Sequence, residues 1–175
     1  KSDLGSYISI FTAPNYLQLQ NEAVMLEADE KNIEMHSDHN SAEALVGFMF
    51  RSRTQLENIQ DPQQQKAFLQ RTFANFGWET SRLLKLLEHS DDLYFDSITQ
   101  VKMPSWTKQL VALLGDAGYC ASPLSGQGTS LALVGAYILA GELKVAQGDY
   151  QQFPSLASSP ILQCSAKDWA TQNWI

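Results

Sequence analysis

The feature that most constrains the fold is an apolar run that leads directly into a glycine-bearing loop and a long apolar helix. Leu110-Val-Ala-Leu-Leu114 is continuously apolar, which predicts a strand buried on both faces. Gly115-Asp116 follows at once, then a loop with proline and glycine, and helical spacing returns from about Gly128 to Ala146. Ligands of α/β sheets bind beyond the carboxyl ends of strands. The run from strand to acidic loop to helix is therefore a ligand-binding layout.

The residues of this loop have separate physical uses. The Asp116 carboxylate can accept hydrogen bonds from sugar-like hydroxyls. Gly126 and Gly128 let the backbone approach a flat ligand, and they open a helix whose free N–H groups favour negative charge. Pro123 offers a rigid apolar contact to a ring face. By spacing alone, a buried strand, a glycine loop and an aspartate at a helix start explain the run as well as a cofactor does.

The order of these residues resembles a known motif. Gly115-Asp116-Ala117, then Pro123 seven residues after the aspartate, then Gly126-Gln127-Gly128, is similar to the second FAD-binding motif of class A flavoprotein monooxygenases. The resemblance covers about residues 5 to 150 and is strongest from 93 to 145. It implies an FAD cofactor reduced by NAD(P)H, and hydroxylation of a small, often aromatic, organic substrate. Tetracycline-inactivating enzymes are similar members of this family.

The same resemblance implies the cofactor-binding residues, which are Gly115, Asp116, Pro123, Gly126, Gln127 and Gly128. Asp116 would hold the ribityl or pyrophosphate region, and Pro123 would contact the face of the flavin. The three residues from Gly126 to Gly128 would meet its pyrimidine edge. There the positive end of the helix would favour the negative charge of a reduced flavin by roughly 0.5 to 2 kcal/mol.

The preceding residues predict a sheet covered by helices. Short apolar runs separated by turn-like stretches predict antiparallel strands at residues 7–12, 24–28, 32–36 and 44–50. Lys31-Asn32 suits the tight turn of a hairpin, with Asp29-Glu30 as the alternative position. Helical spacing runs from residue 61 until Gly77 ends it, and a second helix runs to His89 with Thr80 or Ser81 as N-cap. Residues 93–101 predict one more strand.

The predicted fold class is α+β: a mostly antiparallel sheet with covering helices, plus the strand, loop and helix of the second FAD motif. This is a partial flavoprotein monooxygenase fold without the N-terminal Rossmann half, because no Gly-x-Gly-x-x-Gly follows a strand. The predicted organisation is a substrate or middle-domain region over 1–109, the FAD motif over 110–148 and a divergent tail over 149–175.

Candidate substrate residues come from the predicted sheet. Phe11, Phe48 and Phe50 could line a substrate cavity, with core packing as the favoured alternative for each. No metal site is predicted, since His36, Asp38 and His39 fit an exposed polar turn. Cys120 has no histidine or carboxylate at triad-like spacing, so it is not expected to be a nucleophile. No catalytic residue is assigned.

Charge and composition argue against several kinds of partner. The formal net charge is −7, and no cluster of lysine or arginine exceeds a pair, which argues against nucleic acid. The apolar stretch over 131–140 is interrupted by Gly135 and Tyr137, so no membrane span is predicted. Cys120 and Cys164 lack metal or redox spacing, which indicates reduced thiols and a cytoplasmic protein.

Four functions stay open at this point. The leading hypothesis is the C-terminal portion of an FAD-dependent monooxygenase that is inactive alone, and the second is a two-chain enzyme completed by a separate N-terminal chain. The third is a non-catalytic interaction module or degenerate remnant. The fourth is an FAD-dependent oxidoreductase of another type, although the Trp-x-Trp-x-Ile pattern of halogenases is absent. The unpaired edges of the strand at 110–114 also predict self-association.

Overall fold

The computed structural model describes residues 2–52, 60–101, 103, 105–108 and 111–147. The predicted tail over 149–175, with Cys164, lies outside these residues. The elements are β1 (Ser2–Pro14), β2 (Glu22–Ala28), β3 (Lys31–Ser37), β4 (Glu43–Arg51), α1 (Pro62–Phe73), α2 (Thr80–His89), β5 (Tyr94–Gln100), β6 (Thr107–Lys108), β7 (Val111–Ala112), α3 (Asp116–Tyr119), a 3-10 helix (Pro123–Ser125) and α4 (Gly128–Val145). The predicted α+β class is confirmed.

The chain divides into two compact units. The sheet unit is Gly5–Ser97, and the C-terminal unit comprises Lys1–Leu4 with Ile98–Ile175. Strands β2, β3 and β4 and helices α1 and α2 belong to the first unit, as does β1 from Gly5 onward. The loop and helix of the predicted cofactor motif belong to the second.

A five-stranded sheet with the order β2-β3-β4-β1-β5 forms the first unit's framework. β4 pairs antiparallel with both β1 and β3, and β2 pairs antiparallel with β3. Alternate residues of β1 and β4 are buried, as the period-two pattern requires, while the residues between them form a partly open second face. The five predicted strands from residue 7 to residue 101 are confirmed.

The hairpin between β2 and β3 turns at Asp29-Glu30. The predicted turn at Lys31-Asn32 is wrong, because both residues lie in β3 and pair with Ala28 and Glu27. Asp29 and Glu30 have φ of +49° and +60°, the positive values that a two-residue turn of type I′ needs at both central positions. The strand twist selects this turn although neither residue is a glycine.

Helices α1 and α2 cover the buried face of the sheet. The Asp61 side chain caps α1 by accepting from the backbone N–H of Gln63 at 3.2 Å. The Phe73 ring of α1 lies 4.9 Å from the Phe48 ring, measured between centroids. α1 ends at Phe73 and not at the predicted Gly77: the Phe73 carbonyl accepts the Phe76 N–H at 3.1 Å in a turn, and Gly77, with φ +90°, lies in the loop that follows.

The start of α2 differs from the prediction by one residue. Glu79 is the N-cap, and neither Thr80 nor Ser81 takes that position. Thr80 is the first helical residue, and its hydroxyl donates to the Gly77 carbonyl instead of accepting from the helix. At the other end, the buried Lys66 ammonium of α1 donates to the carbonyls of Glu88 and Ser90 at 3.1 and 2.5 Å. The positive charge of Lys66 thus stabilises the C-terminal end of α2, where the helix dipole is negative.

The strand before the predicted cofactor loop is short. The predicted strand over 110–114, buried on both faces, is wrong for the described residues: β7 is only Val111–Ala112, and Val111 is 62% exposed. β7 pairs with β6 in a two-stranded sheet, and no other strand joins that sheet within the part of the chain that the structure describes. Residues 112–114 are half-buried, so the described part of the apolar run is only partly covered.

Helix α4 begins near Gly128, as predicted, and is mostly exposed. Gly135 is its single buried residue, whereas Leu133 and Tyr137 are 67% and 82% exposed. Length and composition alone would allow α4 to cross a membrane. This is weak evidence for a span, because the apolar helices of soluble proteins pass the same test.

Candidate functional site

The loop after β7 turns sharply at Gly115. This residue has φ +60° and ψ −138°, a conformation open to glycine and strained for residues with a Cβ. Its carbonyl accepts the N–H groups of Gly118 and Tyr119 at 3.0 and 2.9 Å, which closes the single turn of α3. Asp116 is the first residue of α3, and its carboxylate is exposed to solvent.

A second loop, from Ser122 to Gln127, lies opposite and is held by its own side chains. The Ser122 hydroxyl accepts from the Leu124 N–H at 3.2 Å, and the Ser122 carbonyl accepts from the Ser125 hydroxyl at 2.9 Å. The Ser125 hydroxyl in turn accepts from the Gln127 N–H at 3.2 Å. Gly126 adopts the left-handed conformation, with φ +61°, and an added Cβ would have nothing within 4 Å. The backbone at Gly126 therefore faces open space.

Between the two loops lies an open cavity of about 730 Å³. It is lined by Leu114, Gly115, Asp116, Cys120, Ser122, Pro123, Gly126, Gly128, Thr129, Ala132 and Leu133. Five of the six predicted cofactor-binding residues are among these. The sixth, Gln127, is the N-cap of α4, and its carbonyl accepts the Leu131 N–H at 2.9 Å. Its assignment to the pyrimidine edge stays a prediction.

The N-terminus of α4 opens at this cavity. The Gln127 side chain makes no capping hydrogen bond, and Gly128 and Thr129 line the cavity. The first N–H groups of a helix have no partner within the helix, so they carry a partial positive charge into the surrounding space. The cavity thus combines an exposed carboxylate with the positive end of a helix, and the two lie close together, because the Asp116 Oδ1 atom is 3.8 Å from the position of a Cβ on Gly128.

Six lining residues were not among the predicted cofactor-binding residues: Leu114, Cys120, Ser122, Thr129, Ala132 and Leu133. Ser122, Thr129 and Ala132 are small or hydroxylated residues that line the cavity beside the predicted glycines. Ala132 could have been found, because it lies four residues after Gly128 and therefore on the same face of α4. Ser122 precedes Pro123 at the start of a helical turn, which is a common position for a capping serine.

Cys120 lines the cavity as a free, half-buried thiol. Its backbone carbonyl accepts the Val101 N–H at 3.1 Å. No described residue forms a disulfide with it.

The three candidate substrate residues lie in the core of the sheet unit. Phe11, Phe48 and Phe50 are each at most 3% exposed. The rings of Phe11 and Phe48 stack 6.1 Å apart, and Phe50 lies 5.5 Å from the Tyr7 ring. All three side chains serve the core in this structure, and their role toward a substrate stays a prediction.

Close relatives are flavin-dependent monooxygenases by name. The chain is 59% identical over 147 residues to such a protein from Legionella longbeachae serogroup 1 (strain NSW150), and the match covers 84% of this chain and 38% of the relative. A second, from an unknown prokaryotic organism, is 58% identical over 150 residues, which are 86% of this chain and 39% of the relative. The chain thus spans about two-fifths of the length of these relatives. No family model matches it.

The fold has a counterpart of known structure. The crystal structure of tetracycline destructase Tet(55) matches with a TM-score of 0.81 and 48% sequence identity, covering 99% of this chain and 47% of that one. Sequence and fold agree with the resemblance that the glycine and aspartate motif indicates. Over most of its length the chain therefore matches the C-terminal part of a class A FAD-dependent monooxygenase.

Proposed function

We propose that the chain supplies the C-terminal half of the flavin site in an FAD-dependent, NAD(P)H-using monooxygenase that hydroxylates a small organic substrate. The observation that carries this proposal is the cavity between the Gly115-Asp116 turn and the open N-terminus of α4. Its volume of about 730 Å³ lies within the range of roughly 300 to 1,000 Å³ typical of small-molecule sites. The residues present therefore fit part of an FAD molecule.

Each wall of the cavity has a defined task in this proposal. The Asp116 carboxylate accepts hydrogen bonds from the hydroxyls of the ribityl chain. The N–H groups at the start of α4, together with Gly126 and Gln127, stabilise partial negative charge at the pyrimidine edge. Pro123 packs against the face of the ring system. When bound, FAD would accept a hydride from NAD(P)H and would transfer one oxygen atom of O₂ to the substrate, while the other oxygen atom leaves as water.

We further propose that the chain alone is inactive and that an N-terminal dinucleotide-binding half completes the site, within one polypeptide or as a separate chain. The relatives are more than twice as long as the region they share with this chain. The apolar surface of α4, which includes the exposed Leu133, Tyr137 and Val145, is then covered by protein and not by lipid. The free thiol of Cys120 fits a cytoplasmic protein.

The test is an absorbance titration with FAD. The purified chain is titrated alone and then together with the N-terminal half of the Legionella longbeachae relative, and the visible flavin band of the protein fraction is measured after gel filtration. A band only with both halves is the expected result. Replacing Asp116 with alanine should weaken it, whereas Asp96→Ala, on strand β5, is the control. A mixture that stays colourless would contradict the proposal.

An interaction module without flavin is the second candidate, and the exposed apolar surface of α4 is the observation that favours it. The same experiment separates the two functions. A complex of both halves that elutes together but without flavin absorbance would support the interaction module.

A further inference from the structure

The Gly115-Asp116 turn and helix α4 approach each other closely along one helix face. Gly128, Ala132 and Gly135 are separated by four and three residues, so they lie on the same face of α4. A Cβ on Gly128 would lie 3.8 Å from the Asp116 Oδ1 atom, and a Cβ on Gly115 would lie 3.2 Å from the Ala132 Cβ. The small residues on this face of α4 thus determine how closely the Gly115-Asp116 turn can approach the helix.

The third approach is the closest, and it involves Tyr119. A Cβ added to Gly135 would lie 2.0 Å from the Tyr119 hydroxyl oxygen and 3.2 Å from its Cζ. The Tyr119 side chain is buried, with the residue 8% exposed, and its hydroxyl donates to the Leu131 carbonyl at 3.5 Å. The Trp106 ring also packs against the tyrosine, with 4.9 Å between the ring centroids. The notch at Gly135 therefore holds the end of the tyrosine side chain.

We propose that Tyr119 and Gly135 are a positioning pair that sets the width of the cavity, an inference that rests on the proposed function. Tyr119 is the last residue of α3, whose first residue is Asp116, and Cys120 directly after it lines the cavity. A shift of the tyrosine therefore moves both the carboxylate and the thiol relative to the N-terminus of α4. Neither member of the pair needs to touch the cofactor.

Compensation between the two residues distinguishes positioning from general stability. Gly135→Ala places a methyl group where the Tyr119 hydroxyl lies, so the ring must move. Tyr119→Phe removes that oxygen and leaves two approaches of 3.2 Å, to the ring Cζ and to the Leu114 Cδ1 atom, which small adjustments of these side chains relieve. The double variant should therefore regain much of what Gly135→Ala loses. Gly141→Ala is the matched control in the same helix, because nothing lies within 4 Å of its added Cβ.

The experiment uses the Cys120 thiol as a reporter in the full chain with Cys164→Ser, so that one thiol remains. The reaction rate with 5,5′-dithiobis(2-nitrobenzoic acid) is measured for each variant, and circular dichroism checks folding. Gly135→Ala should react about tenfold faster, while the double variant and Gly141→Ala should stay near the parent rate. If Gly135→Ala fails to fold, the double variant must restore both the fold and the slow rate.

Two results would overturn the inference: Gly135→Ala reacting like Gly141→Ala, or the double variant reacting as fast as Gly135→Ala. A second arm repeats the measurement with FAD and the N-terminal half of the relative. FAD should slow the reaction of Cys120 in the parent chain. If compensation is observed but FAD gives no protection, the proposed function fails while the positioning pair stands.

Discussion

Replacing Gly115 with alanine should loosen the turn that forms one wall of the cavity. Its φ of +60° and ψ of −138° cost a residue with a Cβ about 1 to 3 kcal/mol. The added Cβ would also lie 3.2 Å from the Ala132 Cβ, and relieving such overpacking costs about 1 kcal/mol or more. Together the two effects should destabilise the turn by about 2 to 4 kcal/mol.

Hydrogen exchange measured by mass spectrometry can detect this destabilisation at the turn itself. The N–H groups of Gly118 and Tyr119 donate to the Gly115 carbonyl, so their protection reports on the turn. Since 1.4 kcal/mol is a factor of ten, their exchange should become roughly 30- to 800-fold faster.

Gly126→Ala is the matched control, because its φ of +61° is similar but no atom lies within 4 Å of the added Cβ. The left-handed conformation should destabilise this variant by only about 1 kcal/mol. If exchange in Gly115→Ala is no faster than in Gly126→Ala, then the contact with Ala132 and the special backbone conformation do not restrain the turn.

Three further changes test other parts of the chain. Lys66→Met should lower the free energy of unfolding by about 2 to 3 kcal/mol, because two carbonyls at the end of α2 lose a charged donor. Urea unfolding measures this, with Lys85→Met at an exposed position as the control. Equal urea midpoints for the two variants would contradict the prediction. Burial, and then the charge of Glu79, raises the pKa of Tyr16 from 10.0 to about 12. The folded state therefore favours the neutral phenol, and this stabilisation is complete below pH 10 and is lost as the pH rises toward 12. Tyr16→Phe should flatten the alkaline loss of stability measured by thermal unfolding, and an unchanged pH profile would refute this. Self-association stays a prediction: if the exposed apolar side chains of α4 form the contact, replacing Leu133 and Tyr137 by lysine should lower the mass measured by light scattering, and an unchanged mass would exclude α4 as the contact.

The parts of the fold that the sequence predicted correctly depend on local patterns. The first four strands were found because short apolar runs, such as residues 44–50 of β4, are separated by turn-like stretches. Asp116, Pro123 and Gly128 line one cavity because they lie within one short stretch of sequence, and their binding of a cofactor stays a prediction.

The parts that failed depend on neighbours that are distant in sequence or on small differences in backbone energy. The turn at Asp29-Glu30 was misplaced because strand twist overrides the absence of glycine. The burial of the apolar run was overestimated for its described residues, 111–114, because an apolar run shows a need for cover but not whether the described chain provides it. Sequence spacing does not predict the contact between Tyr119 and Gly135, although a glycine inside an apolar helix indicates that another group packs closely there.

The two units differ in how completely they bury their apolar side chains, and this difference bears on cofactor binding. The sheet unit has a closed core of aromatic and aliphatic residues between β1–β4 and two helices. In the C-terminal unit, α4 buries only Gly135, and Val111 beside the cavity loop is exposed. An N-terminal half that covers α4 would stabilise the loop and the helix against local opening. Because only the ordered loop can bind the cofactor, that stabilisation would raise the apparent affinity for FAD in proportion to the population of the ordered state. The half that covers α4 would thus contribute to FAD binding twice, through its own contacts and by holding Asp116 and the start of α4 in place.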